Sequence, residues 1–199
     1  MFDNGAGSFS EDVMGKERTG LRWDLRAETR PAHERLDRKV STLDIAQHDG
    51  LVAFLVGNAL AHRALAEFDD VFEGHMRRRL TLLRADMEAL DIAMPDVTLG
   101  VKAPDFDCGP GFRYVIAGSA MGGKILARRH AASRDPRVQA AGRFLRDDSL
   151  SDFWRDVQCE LGALPRSGAV RTSVVAGAVA CFGLFEAAFD VAMDQVPAG

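Results

Sequence analysis

Tyr114-Val-Ile-Ala-Gly118-Ser119-Ala-Met-Gly122-Gly123-Lys124-Ile-Leu-Ala-Arg128-Arg129 is the stretch on which the fold turns. Its apolar residues, Val115, Ile116, Met121, Ile125 and Leu126, read as the buried part of a long helix. Glycines interrupt that pattern, and each costs a helix interior about 1 kcal/mol relative to alanine. Gly118, Ser119, Gly122 and Gly123 fall one turn apart in pairs and therefore share one side of the helix. That side has almost no side-chain bulk. A flat ligand or another helix can lie against the backbone there, and the glycines let the helix bend.

The same letters contain a decoy. Gly118-x-x-x-x-Gly123-Lys124 follows a phosphate-loop pattern as far as the lysine, with Tyr114-Val-Ile-Ala as the strand before it. Ile125, however, stands where that pattern needs a Ser or Thr hydroxyl for magnesium. No other stretch reads as a buried parallel strand, and such a loop needs a sheet beneath it. The helical reading is the one adopted.

Working outward, 199 residues at 47% hydrophobic suffice for one good core, so a single domain is expected. The net charge of -4 argues against nucleic acid as a partner, although arginines cluster locally. Cys108, Cys159 and Cys181 are widely spaced and form no metal-like pair, a pattern of reduced thiols in the cytosol. Met1 to Gly20 is polar and glycine-rich, lacks the apolar run of a secretory leader, and reads as a mobile tail. The longest apolar run, Val174 to Phe185, is too short to span a bilayer. A soluble, cytoplasmic protein with no membrane partner is expected.

The domain itself is expected over residues 21–194 and is helical throughout. Leu21, Leu25, Leu36 and Val40 start the pattern; at Pro31 the helix either kinks or gives way to a new one. A helix over roughly 47–73 places Leu51, Phe54, Leu55, Ala59, Leu65 and Phe68 inward. The next, roughly 75–92, carries Met76, Leu80, Leu83, Met87 and Leu90; its Arg77-Arg78-Arg79 run reads as a solvated face, or as a dock for an acidic partner. Met94 to Gly111 is a loop, the glycine helix follows over about 112–131, and a short helix begins near Pro136. A helix after Ser149 or Ser151 runs through Phe153, Trp154, Val157 and Leu161, and a last one covers about 169–193. The fold class is all-α, a bundle of about seven helices around one core.

His33 is the main candidate for chemistry. It is either a surface or packed histidine, or an axial haem ligand whose other ring N–H goes to Asp37 one turn on. Arg26 and Arg30 precede it on the helix, where they can reach carboxylates at a ligand's edge. His48, His62, His75 and His130 lack such company and read as structural or solvated. Cys159, inside an amphipathic segment, reads as core rather than as a nucleophile. The Glu-x-x-His pairs of di-iron bundles, a Gly-x-Ser-x-Gly elbow, His-Glu-x-x-His and Cys-x-x-Cys are all absent from the sequence.

Two segments carry a family likeness. Leu25-Arg-Ala-Glu-Thr29-Arg-Pro-Ala-His33-Glu-Arg-Leu-Asp37 resembles the proximal-helix signature of heme oxygenases, and Tyr114 to Gly123 resembles their distal-helix signature. Phe182-Gly-Leu-Phe-Glu186 is similar to the end of the family's last helix. The likeness spans about residues 21–190 and is nearest to the bacterial, biliverdin-producing branch that includes phytochrome-associated enzymes. It implies a heme-oxygenase-like helical bundle in which His33 ligates haem iron, with haem as both cofactor and substrate. It further implies that Gly118, Ser119, Gly122 and Gly123 lie over the distal face, and that Arg26, Arg30 and Tyr114 sit near the propionates, with Arg155 a further partner.

The implied reaction opens haem to biliverdin, carbon monoxide and ferrous iron using dioxygen. Electrons come from an external donor such as a ferredoxin or a reductase, since the chain has no flavin or nicotinamide fingerprint. A bilin-accepting phytochrome is a further implied partner. A non-catalytic haem-binding or sensing protein on the same fold is the alternative. The sequence departs from many animal-type members at Ser119, where they carry an aspartate, and at Lys124, whose charge either sets haem orientation or faces solvent.

Overall fold

A computed structural model describes residues 20–100 and 109–195, which contain eight α-helices and no strand. The tail expected over residues 1–20 lies outside the described residues except for Gly20, as do Cys108 and most of the second half of the 94–111 loop. The first helix, α1 (Leu21–Ser41), passes through Pro31 without a break. Its buried residues, Leu21, Leu25, Thr29 and Ala32, recur at helical spacing, and the Thr29 hydroxyl donates to the Leu25 carbonyl at 2.7 Å.

Helix α2 (His48–Leu65) is the centre of the core. From Leu51 to Leu65 only Val52 and Arg63 escape burial, the mark of a helix surrounded on all sides. The chain then tightens into a 3-10 segment, Ala66–Phe72, where a regular helix to about residue 73 was expected. Two features end the α-helix early. Glu73 and Gly74 take left-handed backbone angles, and the buried Asp69 carboxylate turns forward to accept the backbone N–H groups of Met76 and Arg77.

That capped start opens α3 (His75–Glu88). Arg77 and Arg78 are solvated as expected, but Arg79 is only 7% exposed. It lies three residues after Met76, hence on the inward stripe with Leu83 and Met87. Inside, Arg79 stacks over Phe144 at 4.2 Å and donates to Asp147 at 2.9 Å and to His62 Nε2 at 3.2 Å. His62 Nδ1 lies 2.8 Å from the Asn58 carbonyl, which only accepts, so Nδ1 carries the proton and Nε2 is the acceptor. Burial, helped by the Arg79 charge, pushes His62 down to about 3; burial likewise lowers Arg79 to about 10.

The glycine helix is α4 (Gly109–Ala131), followed by α5 (Pro136–Ala140), capped by Asp135, and by α6 (Arg143–Arg146), which the sequence did not announce. Its cap comes from far along the chain: buried Asp86 accepts the N–H groups of Arg143 at 2.9 Å and Phe144 at 2.8 Å. Helix α7 (Leu150–Ala163) buries Leu150, Phe153, Val157 and Leu161. Cys159, expected in the core, is exposed, because its position falls off that stripe. The last helix, α8 (Gly168–Gln195), has α1, α2 and α4 packed along it.

The α1/α8 seam is laced by ion pairs Asp24–Arg166 at 2.8 Å, Glu28–Arg171 at 2.6 Å, Arg35–Glu186 at 3.0 Å and Lys39–Asp190. Their matching order means that the two helices run parallel. His48–Phe72 and Gly168–Gln195 are long and apolar enough to cross a membrane by length and composition, with 72% and 50% of their apolar windows buried inside the protein. Helix length thus exceeds what the uninterrupted run from Val174 to Phe185 suggests.

Two outcomes test this packing. A Cβ on Gly111 would sit 2.0 Å from the Val174 carbonyl oxygen, whereas one on Gly122 would meet nothing within 4 Å. Chemical denaturation should therefore show Gly111→Ala destabilised by several kcal/mol, or about 2–4, and Gly122→Ala stabilised by roughly 0.5–1 kcal/mol. Separately, an unfolded His62 takes up a proton below about pH 6.5 that the folded one refuses until about pH 3. Stability conferred by neutral His62 is therefore complete above pH 6.5 and lost as pH falls from 6.5 toward 3, by about 1.4 kcal/mol per pH unit. In His62→Gln the slope of stability against pH over that window should flatten by one proton's worth.

Candidate functional site

Helices α1 and α4 both rest on α8, and a side-chain contact joins them: the Tyr114 hydroxyl comes up to Thr29, whose own hydroxyl donates to the Leu25 carbonyl. Burial raises the Tyr114 phenol above its ordinary range, while the charges of Arg26 and Arg22 and the Thr29 contact act in the opposite sense. Trp154 of α7 packs on Tyr114 with ring centroids 5.9 Å apart, and its edge lies 3.7 Å from where a Gly118 Cβ would stand. Arg26, Thr29, Tyr114, Gly118 and Trp154, from three helices, thus form one cluster.

His33 lies one turn beyond Thr29 on α1. Its side chain is 58% exposed, its Nδ1 is 2.9 Å from Asp37 Oδ2, and Phe182 of α8 meets its ring in a T-shaped contact at 5.5 Å. The carboxylate engages one nitrogen and leaves Nε2 as the other. Arg30 is drawn away to Glu34 at 2.7 Å and Arg155 to Asp152 at 2.8 Å, each an exposed pair within its own helix. The structure therefore brings Arg26 and Tyr114 together and leaves Arg30 and Arg155 outside that cluster.

The second half of α4 is uncovered. Phe112, Val115, Ile116 and Ala117 are buried, but no described side chain from Gly118 to Arg129 is. Ile125, expected in the core, is 63% exposed, and Leu126 is half-buried. The reason is that α7 and α8 cover only the first half of α4 closely. A Cβ on Gly122 or Gly123 would meet nothing within 4 Å, so these glycines serve no packing between the described helices. The Ser119 hydroxyl donates to the Ile116 carbonyl at 2.7 Å, leaving its oxygen as an acceptor. A recess of about 210 Å³ beside this face is lined by Ala120, Lys124, Ser151 and Trp154.

The remaining histidines have structural places. His62 and His130 are buried, the latter donating to the Val138 carbonyl at 2.7 Å; His48 pairs with Asp49, and His75 packs on Phe153. Among the described residues no cluster of His, Cys, Asp and Glu could cage a bare metal ion. What exists instead is a single exposed histidine on α1 and a bare helix face on α4, with cations near Tyr114. These residues fit an iron macrocycle with carboxylate arms, which needs one protein nitrogen, a flat space and cationic partners. Thr29 and Trp154 were not singled out in the sequence, although Thr29's place one turn before His33 on the buried stripe was readable.

No protein-family model matches the chain. The architecture is the all-helical heme oxygenase fold: the crystal structure of the NO- and CO-bound heme oxygenase from Neisseria meningitidis superposes with a TM-score of 0.70, over 90% of this chain and 98% of that one, at 18% identity. A heme oxygenase of Xanthomonas campestris pv. campestris (strain 8004) is 30% identical over 134 residues, 62% of this chain and 81% of the relative. The chain belongs to the heme oxygenase family.

Tyr114 is the single tyrosine of the sequence, so its ionisation can be followed without ambiguity. Absorbance titration of the tyrosinate should give a midpoint above 10.0, and Thr29→Val, which deletes a contact favouring the ionised form, should move it higher still. A midpoint at or below 10.0 in the native protein would contradict the half-buried bridge between α1 and α4.

Proposed function

We propose that the protein is a working heme oxygenase that opens haem to biliverdin, carbon monoxide and ferrous iron, with dioxygen and electrons from an external ferredoxin or reductase. The observation that carries this reading is His33: an exposed ring whose Nδ1 is held by Asp37, so that Nε2 is the free nitrogen. When bound, haem supplies both the iron that activates dioxygen and the ring carbon that is oxidised. The catalytic unit is the helical domain over residues 21–194, acting in the cytoplasm, and a bilin-accepting phytochrome is a fitting recipient of the product.

The chain's own contribution is binding, orientation and water order. His33 holds the proximal side, and Asp37 fixes its tautomer and ring orientation. Arg26 and Tyr114 sit together where propionate carboxylates need positive charge and a phenolic donor. Arg30 and Arg155 reach the same edge by exchanging the exposed carboxylates of Glu34 and Asp152 for the ligand's. Gly118, Gly122 and Gly123 leave the distal space free of side chains. Ser119, with its proton directed at the Ile116 carbonyl, offers an acceptor that can hold one water but supplies no charge.

His33→Ala should abolish the histidine-haem absorption spectrum while far-ultraviolet circular dichroism stays helical, because the side chain is largely exposed. An unchanged spectrum and unchanged turnover in that variant remove His33 from the site. Gly122→Leu should fold normally, since space is open there, yet lower turnover by at least roughly tenfold, or about 1.4 kcal/mol of barrier. Histidine-bound haem in the native protein that yields no biliverdin with reductant in air would favour the non-catalytic sensing role.

A further inference from the structure

The grip on α1 changes character along its length. Its first half is anchored by burial, with Leu21, Leu25, Thr29 and Ala32 all inside the protein. From His33 onward no residue of α1 is buried, and Leu36 and Val40 reach only partial burial. Besides that packing, two contacts one turn apart on α8 hold this second half. Phe182 meets the His33 ring at 5.5 Å, and Glu186 takes the Arg35 guanidinium in a fork, Nε donating a hydrogen bond to Oε2 at 3.1 Å and Nη2 pairing by charge alone with Oε1 at 3.0 Å.

Glu186 is an unusual residue for its place. Between Arg171 and Asp190 it is the sole charge on a highly apolar helix, and its side chain is only 20% exposed. A carboxylate mostly withdrawn from water loses solvation that a charged partner partly restores. Lys39, one turn beyond Arg35, adds a hydrogen bond to the Glu186 carbonyl at 3.3 Å and an ion pair to Asp190. The two grips therefore fix both the roll of α1 and its slide along α8, and His33 lies between the buried half and the forked half.

We infer that Glu186, through its fork with Arg35, is a positioning residue that sets where His33 presents Nε2. It touches neither ligand nor reacting atoms and acts through α1. This inference rests on the reading of His33 as the iron ligand. Because Arg35 is about half exposed, the fork weakens with salt, as the screening length falls from about 10 Å at 0.1 M to about 3 Å at 1 M. Burial of apolar groups in the first half of α1 does not weaken in this way. Salt thus loosens the half of the helix that carries the ligand while leaving the other half in place.

The test uses the full chain loaded with haemin and reads two quantities, the iron–histidine stretching band of the reduced protein and the rate of haem loss to an apo-globin trap. In the native protein, raising sodium chloride from about 0.1 to 1 M should broaden the band and speed haem loss several-fold. Glu186→Gln should show the broadened band and a roughly tenfold faster loss already at low salt, with the salt response gone. The exchange Arg35→Glu with Glu186→Arg should restore the native band and its salt response. A band and a loss rate that match the native protein at both salt levels in Glu186→Gln, even with a lowered Tm, overturn the inference and leave the fork a stability contact. Absence of any His33-dependent band in the native protein instead overturns the haem reading beneath it. If Glu186→Gln does not fold, the native salt series decides alone: a band and rate indifferent to salt overturn the inference.

Discussion

A backbone-to-backbone contact governs the arrangement of the helices around the site. Gly111 of α4 lies so close to the Val174 carbonyl of α8 that no side chain fits between them. This approach locks the first half of α4 onto α8, where Phe112, Val115 and Ile116 complete the seal. Helix α1 lies along another side of the same α8, parallel to it and tied by charge. The two helices that carry most of the candidate residues are thus registered through a third, with the Tyr114–Thr29 contact closing the triangle. Rigid elements hold a site more precisely than loops do, and here every candidate residue stands on a helix.

A second constraint sits at the opposite side of α2. Arg79, His62 and Asp147 form a buried chain of hydrogen bonds, flanked by Phe144 and Phe185. Burial opposes the Asp147 charge, yet the Ser149 hydroxyl and Arg79 together keep its carboxyl below the usual range. Such a chain costs desolvation and returns specificity, because α3 has to reach α2 in one register for all its bonds to close. Asp69 and Asp86 work in the same way at smaller scale, each spending a buried carboxylate on the start of a neighbouring helix.

How much of this was legible follows from where the determinants lie in the chain. Periodicity within one helix is local, so the existence of α1, α2, α3, α4, α7 and α8, and most core positions, could be read directly. The His33–Asp37 pair was readable for the same reason: its partners are one turn apart. Arg79, Cys159 and Ile125 were misread because a run of arginines or apolar letters does not say which side of the helix a neighbour covers. Helix α6 depends on Asp86, more than fifty residues away, and the early end of α2 depends on Asp69 reaching forward. The partners of Arg30 and Arg155 were likewise not apparent, since surface carboxylates compete for exposed guanidinium groups in ways that spacing alone leaves open.

The bare glycine side of α4 also bears on how long the protein lasts in a cell. A helix with glycines at Gly118, Gly122 and Gly123, and few neighbours over that half, forgoes roughly 3 kcal/mol against an alanine version. That is a large part of the 5–15 kcal/mol by which an ordinary domain is folded. A ligand that covers this half and binds only the folded chain adds about 2.7 kcal/mol when present at a hundredfold its Kd. Degradation that samples the opened state falls in proportion to the population of that state, so this increment lengthens the half-life by up to about two orders of magnitude. The amount of protein then tracks the supply of what it binds, without any change in its synthesis.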